Sequence, residues 1–251
     1  MRKYIILAIG ISIGISLNGQ TTVQRDVKDS AQMVVENYLR LLNYDAISQD
    51  TMLYIETYIY SRDEPSDTMI MKRWYWAPFC FRTEVWHGDT LTMGLRTNSY
   101  DSYMSYDRDK KRWFKIDVVQ YYILARGYDF RGQLYHWKSN NTQLTYNGVW
   151  NYNGHEVYRI FVKRPGAYHR NYLFEKESGL LFLIDETDNY QKDLNEVASG
   201  PHIDWRAIHE YQPLGNVTFP SIESYQIEND IVLMFHKYKY LPIKKELFIY
   251  D

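Results

Sequence analysis

The alternation of hydrophobic and polar positions changes its period once along this chain, near residue 50. Between residues 29 and 47 apolar side chains recur every three or four positions, and Asp29 or Ser30 is suited to cap the start of a helix. From residue 51 onward, runs rich in aromatic and β-branched residues are separated by short polar turns. This pattern predicts a mainly β (α+β) protein with about ten antiparallel strands and two or three helices.

Turn residues divide the β-rich part into a meander. Pro65 lies in the first polar turn, and Gly88 with Asp89 forms the next. Two Asn-Gly pairs begin at Asn147 and Asn153, and the second is the stronger hairpin signal because both residue types tolerate a positive φ. Three less regular segments are predicted as a short helix at 118–130, a loop at 194–205 and a last strand at 245–250.

The densest aromatic stretch of the chain is RWYWAPFCFR, residues 73–82. In a strand, Arg73 and Tyr75 would share one face, and Trp74 and Trp76 would share the other. Rings on both faces imply that each face is at least partly covered, either by protein or by a ligand. Cys80, the single cysteine, lies between two phenylalanines and is interpreted as a buried, inert thiol.

The N-terminus has the layout of a secretory signal peptide. Arg2 and Lys3 precede an uncharged run from Tyr4 to Leu17, which is followed by small and polar residues. The run is shorter than the ~20 apolar residues that a membrane-spanning helix needs. We expect residues 1–20 to be removed and residues 21–251 to form a single exported domain, located in the periplasm and soluble after cleavage.

Composition and motifs argue against several functions. The chain has 29 basic and 31 acidic residues and a net charge of −2, which gives no electrostatic footprint for nucleic acid. Its seven histidines match no common zinc spacing, and the closest approach to a cluster is His202 with His209. Ser178 lacks the glycine frame of a nucleophile elbow. We therefore predict no catalytic residues, metal or cofactor, and a protein that is not an enzyme.

The order of several weak motifs resembles a known family. These are a helix, a strand ending in APFCFRTEV, a turn GDTL followed by TNSYDSYMSYD, and a hairpin LFEKESGLLFLID. In this order they resemble the LolA/LolB-like carriers that sort outer-membrane lipoproteins in bacteria. The C-terminal segment DWRAIHEYQPLGNVTFPSIESY is similar to exported relatives of the same group. The resemblance implies a strongly curved antiparallel sheet, or half-barrel, with helices across its concave side.

The resemblance also implies a function and a departure from it. A family member would be a periplasmic carrier or chaperone that shelters lipid or lipoprotein acyl chains in a hydrophobic cavity and exchanges them with a membrane-protein donor or acceptor. In the known carriers the residue before the strand's proline is an arginine that latches the lid, whereas Ala77 occupies that position here. Tyr44 and Asp45 follow the first helix and could replace the latch, and Arg82 matches an arginine found more broadly in the group.

These interpretations give a set of candidate ligand-binding residues. Rigid rings offer apolar contact to acyl chains at little entropic cost, and Arg82 could orient a polar head group or close the lid. An alternative is a non-enzymatic glycan- or peptide-binding module of the cell envelope, since Tyr and Trp also stack on sugars. The predicted ligand-binding residues are Trp74, Trp76, Phe79, Phe81, Arg82, Trp86 and Trp113.

Overall fold

A computed structural model describes most of the chain. The described residues are 27–76, 80–98, 103–117, 120, 130–132, 134–163, 169–185, 203–227 and 230–248. The predicted signal peptide and almost all of the predicted helix at 118–130 lie outside them. Within the described residues there is one α-helix, α1 (Val27–Leu42), with 3₁₀ turns at Tyr44–Ala46 and Lys245–Leu247.

Thirteen β-strands follow the helix within the described ranges. Their bounds are β1 (Met52–Ser61), β2 (Thr68–Trp76), β3 (Cys80–His87), β4 (Thr90–Asn98), β5 (Tyr103–Asp107), β6 (Arg112–Lys115), β7 (Gln143–Tyr152), β8 (His155–Lys163), β9 (Arg170–Glu175), β10 (Leu181–Asp185), β11 (Ile203–Leu214), β12 (Val217–Ile227) and β13 (Asp230–Leu241).

All thirteen strands belong to one antiparallel sheet. The strand order is β6-β5-β4-β3-β2-β1-β13-β12-β11-β10-β9-β8-β7, so β1 and β13 join the two halves of the chain at the centre. The sheet is mainly built from neighbours in sequence, as the meander pattern predicted. The sheet is not closed, because β6 and β7 lie at opposite ends of the order and do not pair, and it is also not strongly curled. The expectation of about ten strands in a strongly curved half-barrel is therefore corrected to a thirteen-stranded open sheet.

Two segments differ from their prediction. Residues 203–205 were expected in a loop but begin β11, where Trp205 pairs with Gln226 of β12. The expected last strand begins instead as the 3₁₀ turn at Lys245–Leu247. In both cases the local residue pattern is weak, and a distant part of the chain decides the conformation.

The two faces of the sheet are built differently. On β1 the side chains of Leu53 and Ile55 join one hydrophobic core with Val35 and Leu42 of α1. We call this side the helix face, and the opposite side, which carries Tyr54, the reverse face. Strand alternation and the pairing register assign the neighbouring strands to the same two faces. The helix contacts β7 and β12, so it covers the half of the sheet that contains the C-terminal strands.

The two Asn-Gly pairs form different structures. Asn153 and Gly154 have φ values of 51° and 90° and connect β7 to β8, which confirms the predicted hairpin. Gly148 also has a φ of 90°, but it lies inside β7, where the register shifts between Tyr146 and Val149. The same dipeptide therefore makes a turn where the strands end and a bulge where they continue.

We predict that Phe219→Ala costs about 3–5 kcal/mol of unfolding free energy, because Phe219 is fully buried and its ring stacks on Tyr238 with centroids 4.3 Å apart. Phe235→Ala is the matched control, since Phe235 is on the adjacent strand and 39% exposed; its cost should stay below about 1 kcal/mol. Urea unfolding measures both. Equal costs would contradict the placement of the core on the helix face.

Candidate functional site

A row of polar side chains crosses the middle of the helix face. Its members lie on five adjacent strands, β2, β1, β13, β12 and β11, so the row runs perpendicular to the strands. Buried polar groups are costly unless they are hydrogen-bonded, and each member of this row contacts the next one. We call it the polar row; it consists of Arg73, Thr57, His236, Glu223 and Arg206, in strand order.

Glu223 is the centre of the polar row. Its carboxylate accepts hydrogen bonds from Arg206 Nε at 3.1 Å and from Arg206 Nη2 at 2.5 Å. The Tyr225 hydroxyl donates to it at 2.6 Å, and His236 Nε2 lies 3.7 Å away. The side chain of Glu223 is 3% exposed and that of Arg206 is 27% exposed. A buried carboxylate is thus held by one partly exposed cation and by neutral donors.

The other end of the polar row carries a cation without a carboxylate partner. His236 Nδ1 lies 2.8 Å from the Thr57 hydroxyl, and the same hydroxyl accepts a hydrogen bond from Arg73 at 3.0 Å. Arg73 is 7% exposed, and its Nε has no hydrogen-bond partner. On β3, directly opposite Arg73, the hydroxyl of Thr83 is also buried and unpartnered. The β2–β3 end of the row therefore has unused donors.

Burial and mutual attraction set the charges of the row. Burial alone would raise the pKa of Glu223, but Arg206 and His236 outweigh it and hold that pKa well below its usual range. Burial lowers the pKa of His236, although Glu223 opposes the shift, so His236 is neutral at pH 7. Burial also lowers the pKa of Arg73, but an arginine stays charged in proteins. The row thus carries two cations and one anion at neutral pH.

The polar row separates two apolar areas of the helix face. Toward one side lie Leu53, Ile55 and Tyr238, which belong to the core beneath α1. Toward the other side lies a second cluster, which we call the methionine area; it consists of Ile59, Met71, Val85, Met93, Val232 and Met234. Met69 adjoins it, opposite Ile59, and is 39% exposed. Thioether side chains are unbranched and adapt to irregular apolar partners.

The sequence-predicted residues are divided between the two faces. The register places Phe81 on the helix face, opposite Tyr75, and Phe79 lies outside the described residues. The other five lie on the reverse face: Trp74 and Trp76 on β2, Arg82 and Trp86 on β3, and Trp113 on β6. Trp113 packs over Gly94 so closely that an added Cβ there would lie 2.4 Å from the indole. The assignment of these residues to a ligand stays a prediction.

Cations cover the rings of the reverse face. The guanidinium of Arg82 lies 5.5 Å from the Trp74 ring centroid, and that of Arg96 lies 4.3 Å from the Trp113 centroid. Lys72 Nζ lies 5.4 Å from the Trp86 centroid. Cation–π contacts of this kind occupy the π face that a sugar would otherwise use. On the reverse face, aromatic rings therefore alternate with cationic side chains.

The C-terminal 3₁₀ turn lies against these rings and cations of the reverse face. Arg82 donates to the Leu247 carbonyl at 3.1 Å and pairs with Glu84. Phe248 is 1% exposed, and its ring centroid is 6.4 Å from that of Trp76. Protein thus covers part of the second face of the aromatic stretch. The position of Arg82 ties the sheet to the C-terminal segment and is remote from the helix face.

Tyr44 and Asp45 connect the end of α1 to a later segment. Tyr44 is buried against Phe130 and Phe219, with ring centroids about 5.5 Å apart. The Tyr135 hydroxyl donates to the Asp45 carboxylate. Phe130 in turn packs on Tyr75 of β2. These contacts hold the residues around 130–137 over one end of the helix face, next to α1.

The sequence reasoning missed most of the polar row. Only Arg73 was noted, as a residue that shares a face with Tyr75. A charged residue at an inward-facing position of a strand, such as Glu223, is the signal that could have found it. Among the described residues no group of three or more potential ligands is placed to hold a metal, and none of their helices is long and apolar enough to span a membrane.

Comparisons with known proteins identify the fold. A LolA superfamily protein from Nitrosomonas europaea is similar with a TM-score of 0.57 and 7% identity, covering 88% of this chain and 98% of the other. A DUF1329 family protein from Desulfovibrio piger has a TM-score of 0.59 and 9% identity, covering 90% and 98%. A domain described as an outer membrane lipoprotein-sorting protein, from Vibrio parahaemolyticus, has a TM-score of 0.52 and 8% identity, covering 85% and 93%.

The chain therefore has the fold of LolA superfamily and lipoprotein-sorting domain structures, as the resemblance in sequence order predicted. At identities this low the likeness concerns the fold alone. No protein-family model matches the chain, and no curated protein matches it.

We predict that Glu223→Gln destabilises the protein by about 2–3 kcal/mol, because it leaves Arg206 without its anion and weakens the bonds to Tyr225 and His236. Urea unfolding at pH 7 measures the cost. The double variant Arg206→Met/Glu223→Met should recover more than half of it, since both charges are then removed. Glu177→Gln, at an exposed turn, is the control. A double variant less stable than Glu223→Gln would contradict this account.

The pKa shifts predict a protein that loses stability as the pH falls. Because burial holds the pKa of His236 below 6.5, the unfolded chain binds the proton more readily and stability decreases as the pH falls below about 6.5. The lowered pKa of Glu223 adds a further loss below about 4.5. His209, whose pKa burial also lowers, contributes in the same direction as His236.

Unfolding free energies between pH 7 and 4 test this expectation. His236→Asn should reduce the slope between pH 6.5 and 5 by up to about 1.4 kcal/mol per pH unit, the limit for one proton. His155→Asn, at a half-exposed histidine, is the matched control. An unchanged slope in His236→Asn would show that this histidine is protonated in the folded protein.

Proposed function

We propose that this protein is a non-enzymatic carrier or chaperone of the bacterial periplasm that binds the acyl chains of a lipid or lipoprotein on the helix face of its sheet. The observation that carries the proposal is the methionine area. It is a continuous apolar cluster on five strands, and no described helix packs on it, although Ile59, Met71 and Val85 at its centre are buried. Met69 at its margin is exposed, and Met93, Val232 and Met234 are partly buried. An apolar surface of this kind favours an apolar partner.

The chemistry of the methionine area suits acyl chains. Burying a CH₂ group contributes roughly 0.8 kcal/mol, so a chain of sixteen carbons gains enough from an apolar groove to offset its loss of freedom. Flexible thioethers can adapt to chains of different length and unsaturation. Phe81, one of the sequence-predicted residues, lies on the same face. The five predicted residues on the reverse face would frame the sheet and support its strands.

The fold likeness supports the same function. Two of the similar structures are a LolA superfamily protein and a lipoprotein-sorting protein domain. A lid formed by helices belongs to this proposal and would cover the acyl chains when cargo binds. Exchange with a membrane-protein donor or acceptor would then follow the relative affinities of the two cavities.

The alternative, a glycan- or peptide-binding module, has less support. Stacking on sugars needs free ring faces, and the indoles of Trp74, Trp86 and Trp113 each carry a cation within 6 Å of the centroid. A sugar would have to displace these cations before it could stack. The reverse face is thus better suited to stiffening the sheet than to binding a glycan.

Acyl binding is tested with two neighbouring residues of β13 that point to opposite faces. Met234→Gln introduces a polar group into the methionine area and should lower the recovery of co-purified acyl species by about fivefold or more. Mass spectrometry of organic extracts measures this recovery, and uptake of a fluorescent fatty acid is the second readout. Phe235→Gln, on the reverse face, is the matched control and should bind normally.

The result for the unmodified protein decides the proposal. Absence of any acyl-containing species from protein purified out of its native envelope, together with no uptake of the fluorescent fatty acid, would overturn it. Equal losses in both variants would place the binding surface elsewhere.

A further inference from the structure

We infer that Arg73 and Thr83 form an anion-binding site for the negatively charged head group of an acyl ligand, a carboxylate or a phosphate. This inference rests on the proposed function and specifies the ligand of the same face. It makes the preferred cargo an anionic amphiphile, whose apolar chain lies on the methionine area while its charged end is held by the polar row.

Arg73 is a buried cation with no described ion pair to a carboxylate. Arg73 is 7% exposed, and its described hydrogen bond is to the neutral hydroxyl of Thr57. Glu223, the carboxylate of the polar row, is engaged by Arg206 and Tyr225 on the far side of His236. A buried, uncompensated cation is strongly destabilising, so proteins retain one where a second charge arrives to neutralise it.

Arg73 and Thr83 both have buried hydrogen-bond donors that no protein atom accepts from. Among protein atoms, neither Arg73 Nε nor the Thr83 hydroxyl has a hydrogen-bond partner, although Thr83 is only 1% exposed. The two residues are directly opposite each other on β2 and β3 and point to the same face. Their Cβ atoms are therefore about 5 Å apart, close enough for both to donate to one anionic group. A guanidinium with a neighbouring hydroxyl is well suited to carboxylate or phosphate oxygens.

Arg73 and Thr83 lie next to the methionine area. Met71 lies two residues before Arg73 on β2, and Val85 lies two residues after Thr83 on β3, so the antiparallel pairing places Met71 opposite Val85 on the same side of the pair. Both belong to the methionine area. The pair of donors thus adjoins the apolar surface directly, so a single amphiphile can occupy both. This arrangement gives the ligand one orientation, with its charged end at the polar row.

Matched ligands separate this inference from the proposed function. Palmitate and hexadecanol have the same chain and differ in charge, and palmitoyl lysophosphatidic acid and monopalmitoylglycerol form a second pair with a phosphate. Each competes against a fluorescent fatty alcohol bound to the full mature chain. We expect the anionic member of at least one pair to bind about tenfold to a hundredfold more tightly, as charge-assisted hydrogen bonds imply. The pair with the larger ratio identifies the head group as carboxylate or phosphate.

Variants assign the preference to the two residues. Arg73→Met should abolish it while leaving the affinity for the neutral ligands within about twofold, and Thr83→Val should reduce it by about threefold to tenfold. Arg96→Met removes an arginine of the reverse face and is the matched control, which should keep the full preference. The urea midpoint of Arg73→Met should be unchanged or higher, because a buried charge is lost.

The outcomes are distinct. If anionic and neutral ligands bind equally well to the unmodified protein, or if Arg73→Met keeps the preference, the anion site is wrong and the carrier proposal stands. If the fluorescent fatty alcohol does not bind to the unmodified protein, the carrier proposal fails and the anion site fails with it.

Discussion

The structure depends on one buried carboxylate at the centre of a wide sheet. Glu223 joins β11 to β12 through Arg206, and His236 and Thr57 continue the connection across β13 and β1. These are the strands at which the N-terminal and C-terminal halves of the chain meet. A hydrogen-bonded network in a medium of low dielectric constant is strong when every member is satisfied and costly when one is not. The network thus links the central strands at defined positions, while Arg73 Nε and His236 Nε2 have no hydrogen-bond partner among protein atoms.

The same network divides the helix face into two apolar areas. On one side the core beneath α1 is closed by the protein's own side chains, including the stacked rings of Phe219 and Tyr238. On the other side the methionine area has no described helix over it. The closed core and the proposed binding area therefore lie on the same face of the sheet but on opposite sides of the polar row. Arg73 lies at the boundary between the two areas. The stability of the rest of the sheet offsets the free energy lost by burying its charge.

The fold was predictable from the sequence to the extent that its signals are local. The change of period near residue 50 located α1 and the start of the sheet, and Asn153-Gly154 located a hairpin. Asn147-Gly148 carries the same local signal and forms a bulge, because pairing with β8 continues on both sides of it. The degree of curvature was predicted wrongly. Curvature depends on how all the strands of the sheet are arranged, and no short segment of the sequence determines it.

The candidate site was less predictable, for a physical reason. The polar row brings together residues as distant as Thr57 and His236, and the pairing of β1 with β13 that joins them has no local signal. The aromatic stretch attracted attention to Trp74 and Trp76, which alternation places opposite Arg73 and Tyr75.

An open sheet has two margins whose backbone groups could recruit a further strand from another molecule, the first step toward fibrous aggregation. The two margins of this protein discourage that in different ways. At one margin, β6 is only four residues long and ends in Arg112 and Lys115, so a docking strand would meet like charges and little length. At the other, the bulge at Gly148 interrupts β7 midway and shifts its register. Both edges of this wide open sheet are thus poor templates for a further strand.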